Sequence, residues 1–189
     1  MELMNLLFLT TYSFWFLSEL GLNRLLQSKK TDKQNADKGS IYYIWTIIII
    51  AIFASIHISN NYSYPIIRNS NIEIIGLLII LSGIILRLII VKSLGRFFTV
   101  NVTITPNHIL KKDGFYKYLR HPSYSASLLS FIGFGVTLNN LISLALVTAL
   151  ILTAFIIRIN IEEKVLLKHF GSMYSDYIKT TKRIIPFIY

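Results

Sequence analysis

The chain has 189 residues, 53% hydrophobic and only 15% charged, with a formal net charge of +10. Soluble domains carry about 25% charged residues, so this balance excludes an ordinary soluble domain and makes lipid the solvent of most of the chain. The absence of cysteine excludes disulfides, thiolate nucleophiles and cysteine-based zinc sites. The histidines at 57, 108, 121 and 169 stand in no HExxH or comparable spacing, so no metal centre is expected.

A helix needs about 20 mostly apolar residues to cross a bilayer, with about 17 as the lower limit. Five stretches qualify, which predicts an all-α membrane bundle of about five transmembrane helices. The first, Leu3–Leu22, is broken mildly by Thr10, Thr11 and Glu19; it has no basic leader and no small-residue cleavage site, so it reads as a span and not a signal peptide. Residues 27–40 form a polar loop. The second span, Ile41–Ser59, has TIIIIAIFASI at its heart, with Tyr42, Tyr43 and Trp45 at one end and Tyr62 and Tyr64 just past the other. His57 is given no role.

The third span is Ile72–Val91. Arg87 in its inner part reads either as a snorkelling arginine or as a group that binds an anion, whereas Glu19 and Glu73 read as interfacial. The fourth span, Pro122–Leu138, and the fifth, Leu141–Ile157, are joined by Asn139 and Asn140 alone, which predicts a tight antiparallel hairpin. Ser123, Ser127, Ser130 and Gly133 on one, and Ala145, Ala149 and Thr153 on the other, are small-residue stripes expected to pack the two together. That hairpin brings His121–Tyr124 beside Arg158–Glu162.

Lysine and arginine set the orientation. Five follow the first span, seven lie from Arg87 to Arg120 and six from Arg158 to the end, against Arg68 alone between spans two and three. With the N-terminus outside and the C-terminus cytoplasmic, 18 of the 19 basic residues face the cytoplasm. The charge is thereby explained through anionic lipid headgroups, without nucleic acid. The Ile- and Asn-rich usage points to a bacterial source and its inner membrane.

Two polar knots interrupt the apolar pattern. The first, residues 108–124, reads HILKKDGFYKYLRHPSY. Pro122 suits the first turn of a helix, whose free N–H groups attract a carboxylate or phosphate; Arg120 either joins that site or faces headgroups. The second knot is Arg158 to Glu163. Arg158 and Glu162 are four apart and share a helical face. Arg158 reads as a snorkelling or an anion-binding group, while a carboxylate pair beside anionic lipid needs a cationic partner. SMYSDYIKTTKRIIPF then reads as a short amphipathic helix ending before Pro186, with Tyr174 and Tyr177 on one face.

At these knots the sequence resembles the isoprenylcysteine carboxyl methyltransferase family, prokaryotic relatives included. The matching residues run through His108-Ile109-Leu110, Gly114-Phe115-Tyr116, Arg120-His121-Pro122-Ser123-Tyr124, Arg158 with Glu162-Glu163, Phe170-Gly171, Tyr174, Tyr177, Arg183 and Pro186. Ala126 departs from the glycine that many members carry there. The resemblance implies a multi-span enzyme with a cytoplasmic-side pocket for S-adenosylmethionine and a lipophilic substrate drawn from the bilayer. It implies that Asn101, His108, Ile109, Leu110, Lys111, Tyr116, His121, Pro122, Ser123, Tyr124 and Glu162 hold the cofactor. Arg158 would hold the substrate's anionic group and act with Glu162 in catalysis.

On this reading, residues 1–92 are three spans with a basic loop, and residues 93–189 are the catalytic region. The substrate expected is an isoprenylcysteine-like carboxylate. The alternatives are methylation of a phospholipid amine or a small thiol, a nicotinamide-dependent lipid reductase of related architecture, or a purely structural bundle.

Overall fold

The computed structural model describes residues 2–25, 40–68, 71–95, 109–186 and 188–189. Among these the chain forms six α-helices: α1 (Glu2–Leu25), α2 (Ser40–Asn61), α3 (Ile72–Leu94), α4 (Pro122–Thr137), α5 (Leu141–Phe170) and α6 (Ser172–Thr180). No β-strand occurs among the described residues; Leu119 and Lys182 make an isolated parallel bridge. The all-α membrane fold is therefore as expected, with a helix at each of the five predicted spans.

The five helices differ in how well they suit a bilayer. α2, α3 and α5 are long and apolar enough to cross one. α4 has 16 residues and rises about 24 Å at 1.5 Å per residue, short of a hydrocarbon layer of about 30 Å. α1 is long enough, but Asn5, Thr10, Thr11, Ser18 and Glu19 dilute its apolar content.

Local chemistry sets the helix ends. Pro122 occupies the first turn of α4. The Asn140 side chain caps α5, accepting from Ser143 N at 3.0 Å. Asn139 takes a positive φ of 44°, which asparagine tolerates better than most residues. Its side chain accepts from Ile66 N and Ile67 N at 3.1 and 3.3 Å, so the two-residue link also pins the segment after α2. α5 runs past the expected Ile157 to Phe170 and stops at Gly171, where φ is 55°.

The small-residue stripes pack differently from the expectation. The stripe on α4 faces α3, not α5: a Cβ on Gly133 would stand 2.7 Å from Ile80 N, and Ser130 Oγ donates to Ile80 O at 3.3 Å. On α5, Ala145, Ala149 and Thr153 are exposed, while Ser143, Val147, Ile151 and Ala154 are buried. Ser143 meets α2 through reciprocal bonds, Ser143 Oγ to Ser55 O at 2.8 Å and Ser55 Oγ to Ser143 O at 3.3 Å. Without a hydrophobic force between helices in lipid, close approach and such hydrogen bonds decide which faces meet.

The core joins α1 to this frame through Trp15, whose ring packs on Phe131 with centroids 4.8 Å apart, and through Tyr12 OH bonded to Thr137 Oγ1 at 2.7 Å. The C-terminal helix is shorter than predicted, ending at Thr180. The chain then extends alongside residues 118–121: Arg120 N donates to Lys182 O at 2.8 Å and His121 N to Arg183 O at 3.0 Å. Those backbone partners replace the helical bonds that Lys182 and Arg183 would otherwise make.

Candidate active site

A cavity of about 450 Å³ opens between the helices, walled by α1, α2, α3, α4, α5 and α6. Its size is that of a small-molecule site. Most of its wall is apolar, including Trp15, Ile48, Ile52 and Phe155. Charged side chains gather where α4 begins and α5 leaves the bundle.

There the sequence-predicted residues gather. Ile109, Leu110, Lys111, Tyr116, His121, Ser123, Tyr124, Arg158 and Glu162 all border the cavity. Pro122 does not; it is buried in the first turn of α4 and shapes the helix start. Asn101 and His108 lie outside the described residues. Arg158 is only 3% exposed, which removes the snorkelling reading: its guanidinium is inside the bundle.

The adjacent carboxylates of Glu162 and Glu163 do different work. They point roughly 100° apart around α5, and their partners diverge accordingly. Glu163 is sequestered: Oε1 accepts from Arg120 Nε at 2.8 Å, and Oε2 lies 3.0 Å from Arg183 Nε and 2.7 Å from its Nη2. His121 Nε2 stands 3.3 Å from the same Oε1. Arg120 completes the knot by donating through Nη1 to Ile178 O at 3.3 Å and to Thr181 O. This cluster locks the C-terminal segment onto the start of α4, and Arg120, 6% exposed in its side chain, borders the cavity and does not face headgroups.

Glu162 keeps 31% of its side chain exposed and borders the cavity. Its Oε2 accepts from Tyr124 OH at 3.2 Å and lies 3.8 Å from His121 Nδ1. A carboxylate positioned by one phenol and left facing a mostly apolar cavity is suited to a cationic ligand.

Three tyrosines close the α6 side. Tyr177 OH donates to Tyr116 O at 2.5 Å. Burial raises the pKa of all three hydroxyls, Tyr116, Tyr174 and Tyr177; the Glu162 carboxylate adds to the effect at Tyr116, and Glu163 then Glu162 add to it at Tyr174. All three are neutral in working conditions. The Tyr174 hydroxyl is buried without a hydrogen-bond partner among the described residues.

Sequence reasoning missed one pair in the cavity. Glu19 of α1, read as interfacial, meets Arg87 of α3, with Arg87 Nε 2.8 Å from Glu19 Oε1 and Nη2 3.0 Å from Oε2. The signal was present: each charge lies a similar distance from the same end of its span.

Known proteins share this architecture. The model of the isoprenylcysteine carboxyl methyltransferase (ICMT) family matches residues 74–168, a stretch that holds Arg87, the α4 knot, Arg158 and Glu162. Protein-S-isoprenylcysteine O-methyltransferase B of Arabidopsis thaliana is 35% identical over 115 residues, covering 60% of this chain and 58% of that protein. The protein-S-isoprenylcysteine O-methyltransferase of Saccharomyces cerevisiae is 32% identical over 117 residues, covering 61% and 49%. The solved structure of a eukaryotic intramembrane Ras methyltransferase, ICMT, aligns with a TM-score of 0.63 at 28% identity, covering 80% of this chain and 54% of that one. The chain thus spans about half to three fifths of the length of these proteins.

Proposed function

The chain belongs to the isoprenylcysteine carboxyl methyltransferase family, and on that basis we propose that it is an integral membrane enzyme that methylates the carboxylate of a lipophilic, isoprenylcysteine-like substrate taken from the bilayer. The observation that carries this reading is that Arg158 and Glu162, one turn apart on α5, border one mostly apolar cavity. An anion receptor and a cation receptor in the same water-poor site fit an anionic acceptor and a cationic methyl donor.

The residues present fit S-adenosylmethionine. Glu162, oriented by Tyr124, faces the positive end of such a ligand, and Leu110 and Tyr116 offer apolar and aromatic surface beside it. The donor supplies an electrophilic methyl group when bound. The chain's own part is to align and desolvate. A carboxylate is already a competent nucleophile, so no general base is needed, and alignment contributes several kcal/mol. Arg158 orients the acceptor carboxylate through its planar fork, and the apolar walls keep water from the reacting charges.

Residues 1–92 form three membrane spans with a basic loop, and residues 93–189 the catalytic region that binds the donor. The bundle crosses the membrane five times, with the N-terminus outside and the donor pocket on the cytoplasmic side, where the basic residues meet anionic headgroups. Composition supports a bacterial inner membrane as its setting, although the relatives named above are eukaryotic.

The test is methyl transfer by the purified protein in detergent. Labelled S-adenosylmethionine is supplied with a farnesyl-cysteine analogue or with an amine lipid. An alkali-labile methyl ester on the farnesyl-cysteine analogue is the expected product. Label on the amine lipid, or none on either, overturns the reading.

A further inference from the structure

Arg87 already holds an anion, and that anion belongs to the protein. Two of its nitrogens face the two oxygens of Glu19, at 2.8 and 3.0 Å, and the third, Nη1, donates to Ser123 O at 3.1 Å. Nη1 and Nη2 thus make hydrogen bonds, while buried Nε meets Glu19 by charge and not through a hydrogen bond. The pair is not walled off, since both residues border the cavity and their side chains keep 17% and 18% exposure. The two partners come from different helices, and α1 is anchored by Tyr12 and Trp15, about two turns and one turn before Glu19. Its second half, carrying Glu19, Leu22 and Asn23, serves as cavity wall.

We propose that Glu19 is an internal competitor for Arg87 that reads the charge of the acceptor. This rests on the carboxylate-methylating function proposed above. An incoming carboxylate, oriented by Arg158, exchanges with Glu19 on Arg87 as well, since both arginines border the same cavity. In the reaction a bond forms between the acceptor oxygen and the methyl carbon as the methyl–sulfur bond breaks, its electron pair staying on sulfur. No proton moves, and the acceptor passes from one negative charge to none. A neutral ester cannot hold a guanidinium against a tethered carboxylate, so Glu19 returns to Arg87 and the ester is released. Glu19 is thus a specificity-determining residue that favours the unmethylated acceptor on entry and disfavours the methylated one after transfer.

The experiment is calorimetry on the full chain in detergent with S-adenosylhomocysteine present, titrating the farnesyl-cysteine analogue and, separately, its methyl ester. In Glu19→Gln the carboxylate should bind about fivefold more tightly, the scale of one partly exposed ion pair, while the ester stays within about twofold. The double variant Glu19→Gln/Arg87→Gln, which leaves no charge at the pair, should lose the gain. Equal weakening of both ligands with a lower Tm would make the pair a structural clasp and overturn the proposal. Unchanged affinities for both would overturn it too. If Glu19→Gln does not fold, Glu19→Asp, which keeps the charge on a shorter arm, should give an intermediate carboxylate-to-ester ratio, and an unaltered ratio counts against the proposal. Methyl transfer by the wild-type protein separates the two levels. Transfer with an unmoved ratio removes only the role of Glu19, whereas no transfer to the carboxylate removes the function itself.

Discussion

The Tyr124 hydroxyl donates to Glu162 Oε2 at 3.2 Å, tying the first turn of α4 to the outgoing half of α5. Removing either end should show in donor binding. Glu162→Ala should weaken S-adenosylhomocysteine by about 2 kcal/mol, and Tyr124→Phe by about 1, the usual sizes for a charged and a neutral hydrogen-bond partner. Calorimetry in detergent reads both, and full affinity in Glu162→Ala would remove its role.

Arg158 should behave differently. Arg158→Ala is expected to raise KM for the farnesyl-cysteine analogue, or to lower kcat, by about a hundredfold, the loss of one buried charge-assisted contact. Binding of S-adenosylhomocysteine should survive. Arg158→Lys should restore little, because an ammonium cannot reproduce the planar fork. Steady-state kinetics alongside calorimetry separates the two effects.

Glu163, by contrast, holds the fold. Its side chain is 9% exposed and bridges Arg120 to Arg183. Glu163→Gln leaves two guanidinium groups without their counter-charge and should cost about 3 kcal/mol of stability. The expected readout is a lower Tm and earlier proteolysis after residue 180. Wild-type Tm in this variant would show that the cluster is dispensable.

Packing makes its own prediction at Gly133. A methyl group there would stand 2.7 Å from Ile80 N, so Gly133→Ala must push α3 from α4 and should destabilise by about 1–3 kcal/mol. A thermal melt in detergent checks it.

Alkaline pH should loosen the α6 side. Tyr116, Tyr174 and Tyr177 have pKa values raised above the ordinary 10.0, chiefly by burial. A folded-state pKa above the unfolded one means the folded chain binds more protons between the two. Stability is then complete below about pH 10 and falls as pH rises beyond it. Tyr174→Phe gives up no hydrogen bond among the described residues, where that hydroxyl has no partner; it should match the wild type at neutral pH and lose less above pH 10. Melts from pH 8 to 11 provide the measurement.

The residues where α4 begins and α5 leaves the bundle were legible in the chain because they are local. Arg158 and Glu162 share a face through helical spacing, and Pro122 fixes the start of α4. The two-residue link between α4 and α5 forces Tyr124 and Glu162 to the same end of the bundle. The apolar runs likewise gave the helices and their order, since backbone groups in lipid must be satisfied within each segment.

What needed the tertiary structure was every choice between equivalent faces and equivalent charges. The small residues of α4 could have met α5, yet they meet α3, where Gly76, Gly83 and Gly133 allow the closest backbone approach. Glu162 and Glu163 are identical as letters; the packing of the C-terminal segment gave one to Arg120 and Arg183 and left the other facing the cavity. Glu19 and Arg87 stand 68 positions apart, and composition alone cannot say that α1 lies against α3. Sequence spacing settles who shares a helix, but van der Waals fit between helices in lipid settles who shares a pocket.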